Sequence, residues 1–426
     1  MKRLIASGFA VFLRRNIKFE SKRMLRMNRR KAGLRTVSYT ACLLCSLTFM
    51  QSLVYALEQS DEVREEASTI RWLPETLALI QRGGGYARIA RLADDALLCA
   101  YSRRGVIYVR RSIDEGVSWE GEIHVVSSSV GNVTNAELLV LKDGRTLLFF
   151  NERPSDGVSP YAIGVCESND EGRMWQAPRI IFAAGKTFDD GCWEPAAVER
   201  PSGEILLFFA NEGPYRESHE QEITLLRSSN GGKSWHPPEA FSFRPKHRDG
   251  MPVPLLLVDG SDQDNLVVAI EDNGLAGRMK PVILHEQCDE SSERGLIRGD
   301  NSRRESAFAV PLAPHIYAGA PYLAQFPSGE TVLSVQSTEG REPPHDHTNS
   351  RMVVYVGDAT ARRFGQRSAP FGQLTDLPGV WNSLFIKNEE TVTAVSGTTI
   401  NGIRGIWAID GRLGHHSEET AHSSRF

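Results

Sequence analysis

Cysteine is scarce in this chain, with six in 426 residues. Cys42 and Cys45 fall in an N-terminal apolar run, and Cys99, Cys166, Cys192 and Cys288 are unclustered, with no C-x-x-C among them. That spacing argues against a zinc site and leaves a disulfide open, since four cysteines allow three pairings that sequence cannot choose between. No metal or cofactor is expected. Amphipathic helix periodicity is also missing after residue 75. Basic charge is short outside the N-terminus: the first 56 residues hold 12 of the 49 Lys/Arg and one of the 53 acids, leaving the remainder at about −15. A nucleic-acid partner is therefore not expected. What is present, 41% hydrophobic and 24% charged residues, is the composition of an ordinary globular protein.

Residues 1–56 read as an export signal, with a basic stretch, an apolar run over 37–55 and a small-residue site at Val54-Tyr55-Ala56. An uncleaved anchor is the alternative, because the run is only just long enough to span a bilayer. Leu44 before Cys45 fits a lipoprotein site poorly. The expectation is a secreted or periplasmic protein, free of the membrane after cleavage, with its folded domain over 57–413 and a polar tail over 414–426.

Two internal repeats then organise the chain. The first is S-x-D-x-G-x-x-W, at "SIDEGVSW" (112–119), "SNDEGRMW" (168–175) and, with Asn230 in the Asp place, "SSNGGKSW" (228–235). The second is an apolar stretch, a polar turn and another apolar stretch, beginning near residues 88, 137, 196, 254, 322 and 383. Each unit has the turn chemistry and β-branched or aromatic content of a hairpin. Six hairpins about 50 to 70 residues apart predict an all-β, six-bladed propeller with four antiparallel strands per blade. A pair of β-sandwiches is the alternative, but no linker divides the chain. The polar stretch over 290–306 reads as a long loop within the fourth blade.

Blade geometry says where chemistry can sit. The turn from strand three to strand four, which holds the S-x-D box, lies on the far face, so the box reads as structural and Asp114 and Asp170 as turn residues. The start of strand one and the end of strand two share the near rim. Glu194, in "WEP", starts strand one of the third blade, and Glu271, in "AIEDNG", ends strand two of the fourth. Two acids are thus expected to face each other across one funnel, with Trp193 and Pro195 desolvating Glu194. Other rim positions suit a carbohydrate partner: Arg88, Asn135, the run Asn151-Glu152-Arg153, Glu212, Arg248, Asp249, Tyr322, Trp381 and Asn382. His345 and His347 in "PPHDHT" read as a solvated loop. The strand near residues 70 to 80 is expected to close the ring against "IRGIWAID" (403–410).

The S-x-D-x-G-x-x-W boxes resemble the Asp-boxes of the sialidase superfamily of six-bladed propellers, from about Gly83 to Asp410. Within it, "WEP" (193–195) and "RDGMPVPLLL" (248–257) look most like exo-arabinanase-type glycoside hydrolases. That resemblance implies an exo-acting hydrolase with a carboxylate pair, Glu194 as nucleophile and Glu271 as acid/base. Arg248-Asp249-Gly250-Met251 departs from the family's R-P-G-M, and Asn211-Glu212-Gly213 from its D-E-R, so a different sugar is implied. Two further readings stay open. An exo-α-sialidase would need a tyrosine such as Tyr317 or Tyr322 beside Glu194 and arginines, from among Arg88, Arg248 and Arg351, converging opposite. A carbohydrate-binding propeller would need no catalysis.

Overall fold

The computed structural model describes residues 68–415, apart from 259–264, 276 and 287–294. The expected export segment, Cys42, Cys45, Cys288 and residues 416–426 of the tail lie outside the described residues. Among the described residues no helix is long and apolar enough to cross a membrane.

The strands form six sheets in a ring, each an antiparallel meander from the axis outward. Blade I is β3 (Gly85–Arg91), β4 (Leu97–Arg103), β5 (Val106–Ser112) and β6 (Ile123–Ser127). Blade II is β7 (Gly131–Val140), β8 (Thr146–Pro154), β9 (Ala162–Ser168) and β10 (Arg179–Ala183). Blade III holds β11 (Cys192–Glu199), β12 (Ile205–Asn211), β13 (Glu222–Ser228) and β14 (Glu239–Phe243). In blade IV β15 (Asp249–Leu257), β16 (Asn265–Asp272) and β17 (Lys280–His285) precede the short outer β19 (Arg304–Ser306). Blade V is β20 (Ala318–Gln325), β21 (Thr331–Ser337), β22 (Arg351–Gly357) and β23 (Gly365–Ser368). Blade VI has β24 (Val380–Ile386), β25 (Thr391–Ile400) and β26 (Ile403–His415) from the C-terminal end, and β1 (Ser68–Trp72) and β2 (Ala78–Arg82) both pair with β26. Sequence-distant strands thus close the ring, as expected. The long loop of blade IV does more than expected, because within it β18 (Ile297–Arg298) adds a parallel strand to β14 of blade III.

Why the sheets stand radially follows from their burial pattern. The second strand of each blade is largely buried on both faces; in β12 every residue from Ile205 to Asn211 is buried. A sheet buried on both faces needs a neighbour on each side. Six apolar clusters meet this need, one between each pair of neighbouring blades around the ring.

The S-x-D boxes seal these seams. In the first, Ser112 Oγ donates to Asp114 Oδ1 (2.8 Å) and accepts from Gly116 N–H, while Asp114 Oδ1 accepts from Ser118 N–H (2.9 Å). The same pattern recurs at Ser168, Asp170, Gly172 and Met174, and at Ser228, Asn230, Gly232 and Ser234. Each box tryptophan then packs into the core shared with the preceding blade: Trp119 between VI and I, Trp175 between I and II, Trp235 between II and III. Gly172 sits at φ 78°, and a Cβ there would lie 2.9 Å from Leu98 of the preceding blade, so the position needs glycine for both turn and approach. The serine, aspartate and asparagine side chains of the boxes are engaged in holding turns, and none of the box residues lines the cavity described below.

Candidate active site

Each of the six innermost strands carries a β-bulge near its start, the register slipping between Gly85 and Arg88, Thr134 and Glu137, Trp193 and Ala196, Gly250 and Val253, Gly319 and Tyr322, and Val380 and Ser383. At every slip one non-glycine residue has positive φ: Tyr86, Asn135, Glu194, Met251, Ala320 and Trp381. Such left-handed backbone costs on the order of 1 kcal/mol per residue, and six equivalent instances around one axis point to a shared purpose. The bulge turns that side chain away from the blade seam. Tyr86, Asn135, Glu194 and Trp381 line a cavity of about 840 Å³, and Met251 and Ala320 pack with Tyr86 in a small apolar cluster touched by Trp381.

Glu271, at the end of β16, lines the same cavity. Its Oε2 accepts from Ala320 N–H at 2.8 Å, the amide of the next blade's bulge. Burial raises its pKa, opposed by that hydrogen bond and by the Arg248 charge. Glu194 is pushed up from an ordinary 4.5 to about 7, first by burial and then by the Glu271 charge, with Arg153 and a backbone hydrogen bond from Met251 pulling the other way. Burial thus favours the protonated form of both acids, and the Glu271 charge adds to that effect on Glu194. A carboxylic acid beside a carboxylate is what general acid chemistry with a nucleophile or base partner requires.

Around the pair the polar groups are braced. Glu212 is 2% exposed; it accepts from Trp193 Nε1 at 2.7 Å and from Arg248 Nη1 and Nη2 at 2.9 and 2.8 Å. Arg248 also donates to Gln221, whose Nε2 donates to the Asp249 carbonyl. Glu212 lines the cavity but is committed to positioning Trp193 and Arg248. Arg153 lies over the Trp193 ring at 4.8 Å and donates to Asn135 and Asn151. Phe188 and Trp193 form one aromatic wall (centroids 4.8 Å apart), and Tyr86, Trp381 and His347 contribute another.

Of the rim residues expected to bind sugar, Asn135, Trp193, Glu212, Arg248 and Trp381 line the cavity, as do both acids. Arg88, Asp249 and Tyr322 do not, and the expectation for these three is corrected. Arg88 and Tyr322 come two residues after the positive-φ position, where pairing has resumed and the side chain has swung behind the wall. There Arg88 binds Glu137 (Nε to Oε2, 3.0 Å) and lies against the rings of Tyr86 and Tyr322. Asp249 precedes its bulge and is wholly buried against Arg304 and Ser242. Asn382 also falls behind, buried at the position after Trp381.

Tyr86, Phe188, Gln221, His347 and Arg404 are lining residues that the rim reading missed. Tyr86 had a signal, since "GYARI" aligned on "WEPAAV" puts Tyr86 on Glu194. His347 had none: a long loop between β21 and β22, ending in a short 3-10 turn capped by Asp346, carries it in. No group of three or more His, Cys, Asp or Glu residues placed to hold a metal occurs among the described residues. Cys99, Cys166 and Cys192 are buried free thiols.

The glycines beside the acids are constrained. A Cβ at Gly319 would lie 2.5 Å from Glu271 Oε2 and closer still to the Tyr317 hydroxyl. Gly319→Ala must displace Glu271, and a shift near 1 Å at a reacting group costs about 10²-fold in rate. We expect that loss in kcat with thermal unfolding little changed; unaltered kcat would show that Glu271 is not held where the chemistry occurs.

The fold and cavity define a six-bladed β-propeller of Asp-box type with a carboxylate pair at one mouth. Residues 161–254 match the BNR repeat-like domain. In fold the chain resembles the sialidase superfamily, and within it the arabinanase-type propellers. An α-L-arabinofuranosidase mutant from Fusarium graminearum, solved with an iminosugar inhibitor, is 16% identical with a TM-score of 0.62, covering 79% of this chain and 97% of that one. Penicillium chrysogenum α-L-arabinanase, solved with arabinobiose, is 15% identical with a TM-score of 0.58 over 81% of this chain and 98% of that one. A Trypanosoma rangeli sialidase mutant displaying trans-sialidase activity is 11% identical with a TM-score of 0.50 over 80% and 58%. At these identities the likeness is one of fold. No curated protein matches in sequence.

Proposed function

We propose that this protein is an exo-acting glycoside hydrolase that removes terminal sugars from a glycan by means of Glu194 and Glu271, and that it acts after export. The observation that carries this reading is the pair itself: two desolvated carboxyls from adjacent blades, in one cavity with aromatic walls, one of them titrating at about 7. One carboxyl protonates the leaving oxygen and the other attacks the anomeric carbon or activates water, according to their separation when sugar is bound. The resemblance implies Glu194 as nucleophile and Glu271 as acid/base.

The sialidase reading finds less support. Tyr317 does stand beside Glu271, and Gln336 Nε2 donates to its hydroxyl at 3.2 Å. Yet of Arg88, Arg248 and Arg351 only Arg248 lines the cavity, and Glu212 holds it on both terminal nitrogens.

Release of sugar from linear arabinan, aryl arabinofuranosides, aryl hexosides and hexuronides, and sialyllactose tests the reading. Hydrolysis of any one that requires Glu194 supports it; silence across the panel favours a binding propeller. The pH profile adds a second check. With Glu194 as nucleophile, kcat/KM is expected to rise through about 7 as Glu194 ionises; a fall through about 7 would make Glu194 the acid instead, and a flat profile from pH 6 to 9 would contradict a catalytic role for it.

A further inference from the structure

Three carboxylates and three guanidiniums line the cavity: Glu194, Glu212 and Glu271 against Arg153, Arg248 and Arg404. Arg248 and Glu212 neutralise each other. Burial favours the protonated form of both Glu194 and Glu271, which leaves a surplus of positive charge on the wall.

The surplus belongs to Arg153 and Arg404. Among the described residues Arg153 has no carboxylate within ion-pair distance; its hydrogen bonds go to the neutral side-chain oxygens of Asn135 and Asn151, and its plane rests on Trp193. Burial lowers its pKa, with the Glu194 charge acting the other way. A half-buried guanidinium without a bonded counter-ion is costly unless other groups satisfy it: Arg88 has Glu137, Arg304 has Asp249 and Asp272, and Arg111 has Asp94, while the buried Arg303, which lies outside the cavity, is held by the main-chain oxygens of Glu286 and Gly295 and by Asn301. Arg404, near the start of β26, has an exposed side chain with no bonded partner among the described residues. An arginine fork fixed by two asparagines and a tryptophan is pre-organised for planar, bidentate recognition of a carboxylate.

Resting on the glycosidase reading, we propose that the substrate class is a glycan ending in a sugar acid, whose carboxylate is received by Arg153, with Arg404 supplying attraction at the rim. Arg153 is then the specificity-determining residue. It stands on blade II, apart from Arg88, Arg248 and Arg351.

The test compares aryl hexuronides, an aryl sialoside and the matching neutral aryl hexosides and arabinofuranosides on the full chain, in wild type, Arg153→Met and Arg153→Lys. The expected result is an acid-over-neutral preference in kcat/KM of at least about 10²-fold that collapses in Arg153→Met, mainly through KM, and partly returns in Arg153→Lys. The hexuronide and sialoside arms separate the two sources of the carboxylate. Equal or better turnover of neutral sugars, or a preference that survives Arg153→Met, overturns the inference and leaves the glycosidase reading standing. Calorimetry with free glucuronate, galacturonate and sialic acid covers the case without turnover. Binding of one of these acids that needs Arg153 supports the anion site while the hydrolase reading fails, and no binding of any of them overturns the inference.

Discussion

Glu194→Gln and Glu271→Gln are each expected to lower kcat on an activated aryl glycoside by about 10²–10⁴-fold, the range that one positioned proton-transfer group contributes. Glutamine keeps the size and most hydrogen bonds of the side chain while removing charge and titration, so the loss reports chemistry. The two roles separate with azide. In Glu194→Ala, azide attacks the anomeric carbon as the aryloxide leaves; an inverted glycosyl azide identifies Glu194 as the nucleophile, and a retained one identifies it as the acid/base group. Stability should move the opposite way from activity. A carboxyl whose folded pKa is raised from 4.5 to about 7 binds more protons in the native state than in the unfolded one across that window. Its contribution is therefore lost as pH rises from about 4.5 to 7, and above 7 the buried charge is a burden that glutamine removes. Glu194→Gln should accordingly unfold at a higher temperature than wild type at pH 8, with the difference shrinking toward pH 5. A lower unfolding temperature at pH 8 would mean that the carboxylate is better compensated than its surroundings indicate.

Arg304→Met carries the largest expected cost to stability. Arg304 reaches Asp272 Oδ2 with Nη1 at 2.7 Å and Asp249 Oδ2 with Nη2 at 2.5 Å, and both aspartate side chains are wholly buried. Arg244 meets Asp272 from the other side at 2.9 Å. Four charges balance in this cluster, and methionine leaves one negative charge with no partner. Breaking such a pair costs about 3–5 kcal/mol. Urea unfolding should show that loss, and Asp249→Asn added to Arg304→Met should recover part of it by removing the orphaned charge. A loss below about 1 kcal/mol would show that water reaches the cluster. The cluster also bears on the site, because Asp249 and Asp272 flank Gly250 and Glu271, which pair across β15 and β16. Residual activity in Arg304→Met, measured below its unfolding transition, is expected to fall as well.

Much of this was legible without coordinates because it is local. An S-x-D-x-G-x-x-W turn is satisfied within eight residues, as Ser112, Asp114 and Gly116 show, and a two-strand repeat announces itself through turn residues and apolar runs. Six such units leave few arrangements that bury both faces of each sheet. Glu194 and Glu271 could be found because the start of one strand and the end of another lie on the same rim. Which neighbours face inward could not be read the same way. Period-two alternation places Arg88 and Tyr322 at the mouth, and the bulge, one extra residue in positive-φ backbone, brings Tyr86 forward and sends them behind the wall.

By itself, then, the sequence determined the blade count, the structural role of the S-x-D boxes and the pair of acids, since each depends on residues close in the chain or on the geometry of a repeat. Only the tertiary structure decided that Arg88 pins the wall through Glu137, that Asp249 belongs to a buried charge cluster, that His347 arrives from a distant loop, and that Arg153 is left without a counter-ion. These depend on a bulge that reverses facing and on charges meeting across blades, and neither the period of a strand nor the spacing of a motif encodes them.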